Sequence, residues 1–147
     1  MNANKIASLV LFLSILLIVS NCNNWNTADE SAIMKTSLDY IEGWYTGDSI
    51  RMERALHPNM VKRIVINPDQ QYSSMEELNK EEMVSYTKLG GGKDVPKDNY
   101  KIQVKIVDIN HNIASVITKS EYIDYLQLAK FNNQWVIINV LWDMNRE

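Results

Sequence analysis

The stretch QWVIINVLW, Gln134 to Trp142, decides the fold. Both of its alternations are largely apolar, with Trp135, Ile137 and Leu141 on one side and Val136, Ile138, Val140 and Trp142 on the other. A strand with one face in water carries polar residues at every second position, so this pattern predicts a strand covered on both faces. Working back along the chain, YLQLAKF, NIASVITKSEYID and YKIQVKIVDIN share the period of two. Asn110-His111-Asn112 and Asn132-Asn133-Gln134 separate them with residues that favour hairpin turns, and His111 is expected to be solvated there. The second half of the chain therefore reads as an antiparallel meander.

The first half has the period of a helix. Thr27-Ala28-Asp29-Glu30 fits a capping box, predicting a helix from about Ala28 to Thr46 that Gly47 stops. Ile33, Met34, Leu38, Tyr40, Ile41, Trp44 and Tyr45 fall within one arc, and Lys35, Asp39 and Glu42 lie opposite. Ser37 sits inside the apolar arc, where a small side chain leaves room beside large rings. Asp48 can cap a second helix, Ser49 to Leu56, whose Met52, Ala55 and Leu56 share a face. His57-Pro58 ends it, Pro58 to Lys62 is expected to add one further turn, and Arg63 to Ile66 reads as a short strand broken by Asn67-Pro68-Asp69. Residues 72–78 fit an edge strand or an early helical turn equally. Asn79-x-x-Glu82 opens a helix closed by the glycine run at Gly90.

At 147 residues and 46% hydrophobic, the chain is sized for one domain, which buries roughly two thirds of its unfolded surface. Removing everything before Cys22 takes away only Lys5 among the charged residues, leaving 14 basic against 18 acidic, a net charge of −4. Such a surface repels phosphate backbones and argues against a nucleic-acid partner. Two histidines and one cysteine, far apart, cannot close a Cys/His zinc site or an intrachain disulfide. No nucleotide-binding glycine motif occurs, so no metal or cofactor is expected; Gly90-Gly91-Gly92 leads into Lys93 and Asp94 as a loop.

At the N-terminus, Lys5 precedes the apolar run Ala7 to Val19, shorter than the roughly 20 residues of a spanning helix and typical of a signal peptide. It runs into VSNCNN, which resembles a bacterial lipoprotein signal. That resemblance implies that residues 1–22 are a signal with a lipobox-like end, cut so that a lipidated Cys22 becomes the first residue of the mature protein, although Asn21 replaces the usual small residue. An ordinary signal peptide with an incidental cysteine is the other reading. Either predicts an exported protein, membrane-anchored, periplasmic or extracellular, with residues 23–30 as a short tether and residues 31–147 as the domain.

The phrases YIEGWYTGDSIRMERALHP, IASVITKSEYIDYLQLAK and WVIINVLW resemble the nuclear transport factor 2-like superfamily, from about Ser31 to Trp142. Within it, the chain looks most like the family described as putative lumazine-binding, near the polyketide cyclase-like (SnoaL-like) branch. The resemblance implies an α+β fold in which a curved antiparallel sheet wraps N-terminal helices into a cone. It also implies an apolar pocket and a homodimer formed through the outer face of the sheet. Relatives include isomerases, dehydratases, cyclases and proteins without catalysis, so the fold alone does not choose a function.

In that fold the end of the first helix lies against the pocket, which makes Tyr40, Trp44 and Tyr45, with Ser37 beside them, a pocket wall as well as core. Met52, Tyr122 and Asn139 join the candidate ligand contacts. Asp124 shares its alternation with Ala114, Val116, Thr118 and Tyr122. It can be an inward carboxylate whose pKa burial raises, suited to abstract a proton, or a turn aspartate bonded to backbone amides. His57 is the other candidate base, with a capping role as the alternative. The expected function is binding of a small, flat, largely apolar ligand without catalysis. The alternative is a cyclase, isomerase or dehydratase with Asp124 or His57 as general base.

Overall fold

The computed structural model describes residues 25–67, 72–96 and 100–146. Cys22 and the apolar run before it lie outside them. Helix α1 (Thr27–Thr46) is capped by Asn26, whose side chain accepts from the Ala28 amide at 2.9 Å. Asn26 thus replaces Thr27 as the cap, and the second half of the expected tether is already helical. Asp29 accepts from Lys130 at 2.7 Å and from the Trp135 indole at 2.9 Å, tying the start of α1 to residues 130–135. Those two hydrogen bonds hold the Asp29 carboxyl below its usual range.

Gly47 ends α1 with φ at 69°, the left-handed conformation that costs glycine least. Asp48 then caps α2 (Ser49–Ala55), accepting from the Ile50 and Arg51 amides, both at 3.1 Å. The turn folds α2 back along α1 and over Asp39, which the helical projection had placed on the exposed face. Asp39 retains 5% exposure and accepts from Lys35, Arg51 and Arg54, each at 2.9 Å. Arg51 also reaches Glu42 at 2.6 Å. Helix α3 (Lys80–Lys88) carries the expected capping box between Asn79 and Glu82.

Strands β1 (Leu56–Ile66), β2 (Ser74–Asn79), β3 (Gln103–Asn110), β4 (Ile113–Lys119), β5 (Tyr122–Phe131) and β6 (Gln134–Met144) form one curved sheet in the order β2-β1-β6-β5-β4-β3. The fold is α+β, as expected. All neighbours are antiparallel except β1 and β6, which run parallel. The further helical turn expected over Pro58 to Lys62 is absent, because β1 already begins at Leu56 and irregular pairing lets it pass Pro58 before regaining register at Val61. The ambiguous segment before Asn79 is strand. One hairpin also turns earlier than expected, at Ser120-Glu121, so that Asp124 lies within β5, opposite Thr118.

The last strand corrects the alternation. Gln127 pairs with Asn139 and Leu128 with Ile137, which leaves Ile138 as an extra residue in a bulge. The strand changes phase there, so Trp135 and Ile137 before the bulge and Val140 after it are all buried, with Trp142 packed against the same core. Val140 and Trp142 therefore do not face outward with Val136. Leu141 points out, 47% exposed, and Asn139 turns outward to accept from Arg63 at 2.6 Å and to donate to Gln127 at 3.2 Å. The core lies between the helices and the other face of the sheet, around Ile33, Ile41, Met52, Leu126 and Ile137.

Candidate functional site

A cavity of about 90 Å³ opens between α1, α3 and the inner face of the sheet. Helix α1 contributes Tyr40, Ile41 and Trp44, one turn apart on the face it buries. Strand β5 contributes Tyr122 and Asp124, two residues apart and hence on one face, and β6 contributes Trp142, directly opposite Asp124 in the ladder. Leu78 and Met83 close the side formed by β2 and α3. Tyr122 and Trp142 meet edge to face with ring centroids 5.4 Å apart.

The polar part of the wall is a single cluster around Asp124, which is 1% exposed. Its Oδ1 accepts from the Lys62 ammonium at 2.7 Å and from the Tyr40 hydroxyl at 3.0 Å, and its Oδ2 accepts from Thr118 at 3.1 Å. Lys62 donates to the Tyr40 oxygen as well, at 2.6 Å. The ammonium also lies 4.7 Å from the centre of the Trp142 ring, within cation–π range. The inward carboxylate expected from the alternation is thus present, but as half of a buried ion pair. Burial, and secondarily the adjacent carboxylate, push the Tyr40 phenol well above its usual 10.0. Burial likewise raises Tyr122. Both therefore stay protonated at neutral pH, able to donate.

Of the residues singled out in the sequence, the structure brings Tyr40, Trp44, Tyr122 and Asp124 to this cavity. Four candidate ligand contacts lie elsewhere. Ser37 is fully buried and spends its hydroxyl on the Ile33 carbonyl at 2.9 Å. Tyr45 points into the core, stacked on Tyr100 with centroids 4.4 Å apart and donating to Ser120 at 2.9 Å. Met52 carries α2 into the core. Asn139 is carried to the outer face by the bulge at Ile138. His57 is corrected too. It lies near the surface, stacked on Phe131 with centroids 4.5 Å apart, and its Nδ1 accepts from the Asn59 amide at 3.1 Å. That is a local hydrogen-bonding role within β1, away from the residues that line the cavity.

Lys62 is absent from the residues singled out in the sequence, because its segment reads there as a helical turn. Met60-x-Lys62-x-Ile64 nevertheless has the alternation of a strand, and a buried carboxylate on the same sheet requires a cation. The glycine run, too, is more than a loop. The Gly92 amide donates to the Trp44 carbonyl at 3.1 Å. A Cβ on Gly91, whose φ is 50°, would lie 2.4 Å from that same oxygen, and one on Gly92 would lie 2.8 Å from the Trp44 indole nitrogen. The glycines thus clasp Trp44 against the cavity, and its Nε1 is buried without a hydrogen-bond partner among the described residues. No cluster of three or more His, Cys, Asp or Glu able to hold a metal occurs among the described residues.

A profile of the family described as putative lumazine-binding matches residues 28–143. No curated protein matches the chain. Among solved structures, an NTF2-like protein of unknown function from Shewanella baltica OS155 is 15% identical, with a TM-score of 0.62 over 84% of this chain and 99% of its own. Another, from Silicibacter pomeroyi DSS-3, is 12% identical, with a TM-score of 0.61 over 82% of this chain and 100% of its own. A type 2 hexachlorocyclohexane dehydrochlorinase, LinA, is 11% identical, with a TM-score of 0.50 over 81% of this chain and 86% of its own. At these identities the likeness is one of fold, and that fold is nuclear transport factor 2-like.

Proposed function

The chain belongs to the putative lumazine-binding family of the nuclear transport factor 2-like superfamily, and on that premise we propose that it binds a small, flat, largely apolar molecule without transforming it. The observation that carries this reading is the cavity itself. Rings from Tyr40, Trp44, Tyr122 and Trp142 line it around one compact polar cluster, the largely apolar wall with a few convergent polar groups that ligand pockets have. A non-catalytic role is supported by the occupancy of Asp124. Both of its oxygens already accept hydrogen bonds, so abstracting a proton requires displacing a partner. The competing enzyme reading draws on the contact between a phenol donor and a buried carboxylate, and on the dehydrochlorinase that shares the fold. Asp124 would then be the base, with His57 uninvolved.

The proposal extends to place and assembly. Cys22 carries the lipid, and two copies meet through the outer face of the sheet. The apolar patch available there is formed by Val65, Tyr125 and Leu141, each about half exposed on neighbouring strands, with Trp142 bordering it and Val140 buried beneath. Native mass spectrometry of the protein extracted in detergent from membranes reads all three features. The expected spectrum is a dimer whose subunits carry an acyl modification on Cys22 and release a small aromatic compound. Cys22→Ala should lose the modification and leave the membrane, since each buried CH₂ of the lipid contributes about 0.8 kcal/mol. Trp44→Ala should lose the compound. Monomers, an unmodified Cys22, or a compound held equally by Trp44→Ala would each remove the corresponding claim, and turnover of the released compound abolished by Asp124→Asn would favour the enzyme.

A further inference from the structure

Resting on the reading of the cavity as a ligand pocket, we propose that its occupant is an electrically neutral flat ring system carrying a carbonyl oxygen, and that Lys62 selects it. An ammonium has three N–H donors. Two of those on Lys62 are fixed by the Asp124 carboxylate at 2.7 Å and the Tyr40 oxygen at 2.6 Å. The third has no acceptor among the described residues and the face of Trp142 beside it. Of the ion pair, Lys62 also keeps the more surface, 11% of its side chain against 2% for Asp124. A buried donor met only by a ring face is a place where a ligand acceptor gains a charge-assisted hydrogen bond with no rearrangement of the pair.

Charge narrows the class further. Among the described residues, Lys62 and Asp124 are the only charged ones lining the cavity, and they cancel. An anionic ligand would compete with Asp124 for the ammonium and leave one negative charge uncompensated among apolar walls. A cationic ligand would find both Asp124 oxygens already engaged. A neutral carbonyl satisfies the open donor of Lys62 and adds no charge, while its ring system packs against Trp44, whose indole N–H is also without a partner among the described residues, and Trp142.

The test uses three probes of nearly one shape: 9-fluorenone, fluorene and fluorene-9-carboxylate, each equilibrated by dialysis against the purified mature protein. The wild type should retain 9-fluorenone at least about tenfold more tightly than fluorene, the discrimination expected of one hydrogen bond to a charged donor, and more tightly than the carboxylate. Lys62→Met together with Asp124→Asn removes both charges, while the new amide keeps an acceptor for the Tyr40 hydroxyl. In that variant, shown to be folded by circular dichroism, the ratio of 9-fluorenone to fluorene retention should fall to about one, whatever the level at which fluorene itself is held. Equal retention of 9-fluorenone and fluorene by the wild type, a preference for the carboxylate, or a carbonyl preference surviving in the double variant would overturn the role of Lys62 and leave the pocket standing. Retention of none of the probes by the wild type would overturn the pocket reading, and this inference with it.

Discussion

Lys62→Met is expected to lower the free energy of unfolding by about 3–5 kcal/mol, the usual cost of stranding one member of a buried ion pair. The carboxylate left behind is 1% exposed and cannot be rehydrated in place, which separates this pair from the protein's solvent-exposed bridges. Asp124→Asn alone strands the ammonium and should cost less, because Lys62 keeps more contact with the cavity. The double variant should recover much of the loss. Asparagine preserves an acceptor for the Tyr40 hydroxyl and a partner for Thr118, so only the charges disappear. A urea-unfolding cycle over the four proteins isolates the pair. A single-variant loss below about 1 kcal/mol, on the scale of an exposed bridge, would show that Lys62 and Asp124 do not hold each other.

The second large effect belongs to Asp39. Asp39→Asn should cost about 2–3 kcal/mol at neutral pH, since it weakens charge-assisted bonds from three cations at once, discounted because those cations can partly rehydrate. The loss has a predictable pH dependence. Burial alone would raise the Asp39 carboxyl, but hydrogen bonds from Arg54, Lys35 and Arg51 outweigh it and hold the group well below its usual 3.8. A carboxylate depressed in the folded state contributes its stability above its unfolded pKa and loses it as the pH falls through and below that value. The gap between wild type and Asp39→Asn should therefore be constant from neutrality down to about pH 5 and close progressively below about pH 4. A gap that persists undiminished at pH 2 would exclude titration of Asp39 as its source.

What the residues disclose depends on whether a signal is local. Gly47, Asp48 and the Asn79–Glu82 box are self-contained, so helix ends can be read directly. The period of two marks β3 to β6 for the same reason. The bulge cannot be read, because nothing in VIIN says that Ile138 is the extra residue. Only pairing with Gln127 and Leu128 makes it so, and an unbroken alternation puts Asn139, Val140 and Trp142 on the wrong faces. Asp124 does point inward as its alternation predicts, although its hairpin turns earlier than expected. Lys62 is not legible because its partner arrives from across the sheet. Ser37, Tyr45 and Met52 show the limit of an apolar arc, which says that a face is buried but not whether a cavity or solid core lies against it.

The parallel pairing of β1 with β6 governs how the protein comes into being. The hairpins of β3 to β6 join near neighbours and can form early, whereas Val61 must find Asn139 near the opposite end of the chain, a closure whose entropic cost comes before any reward. Lys62 follows Val61, so the ammonium reaches Asp124 only when that closure is made. Until then Asp124 stands on the face of an unfinished meander, open to water. The ion pair thus depends on one of the fold's long-range closures, and a chain emerging vectorially presents the carboxylate's strand only after the lysine's.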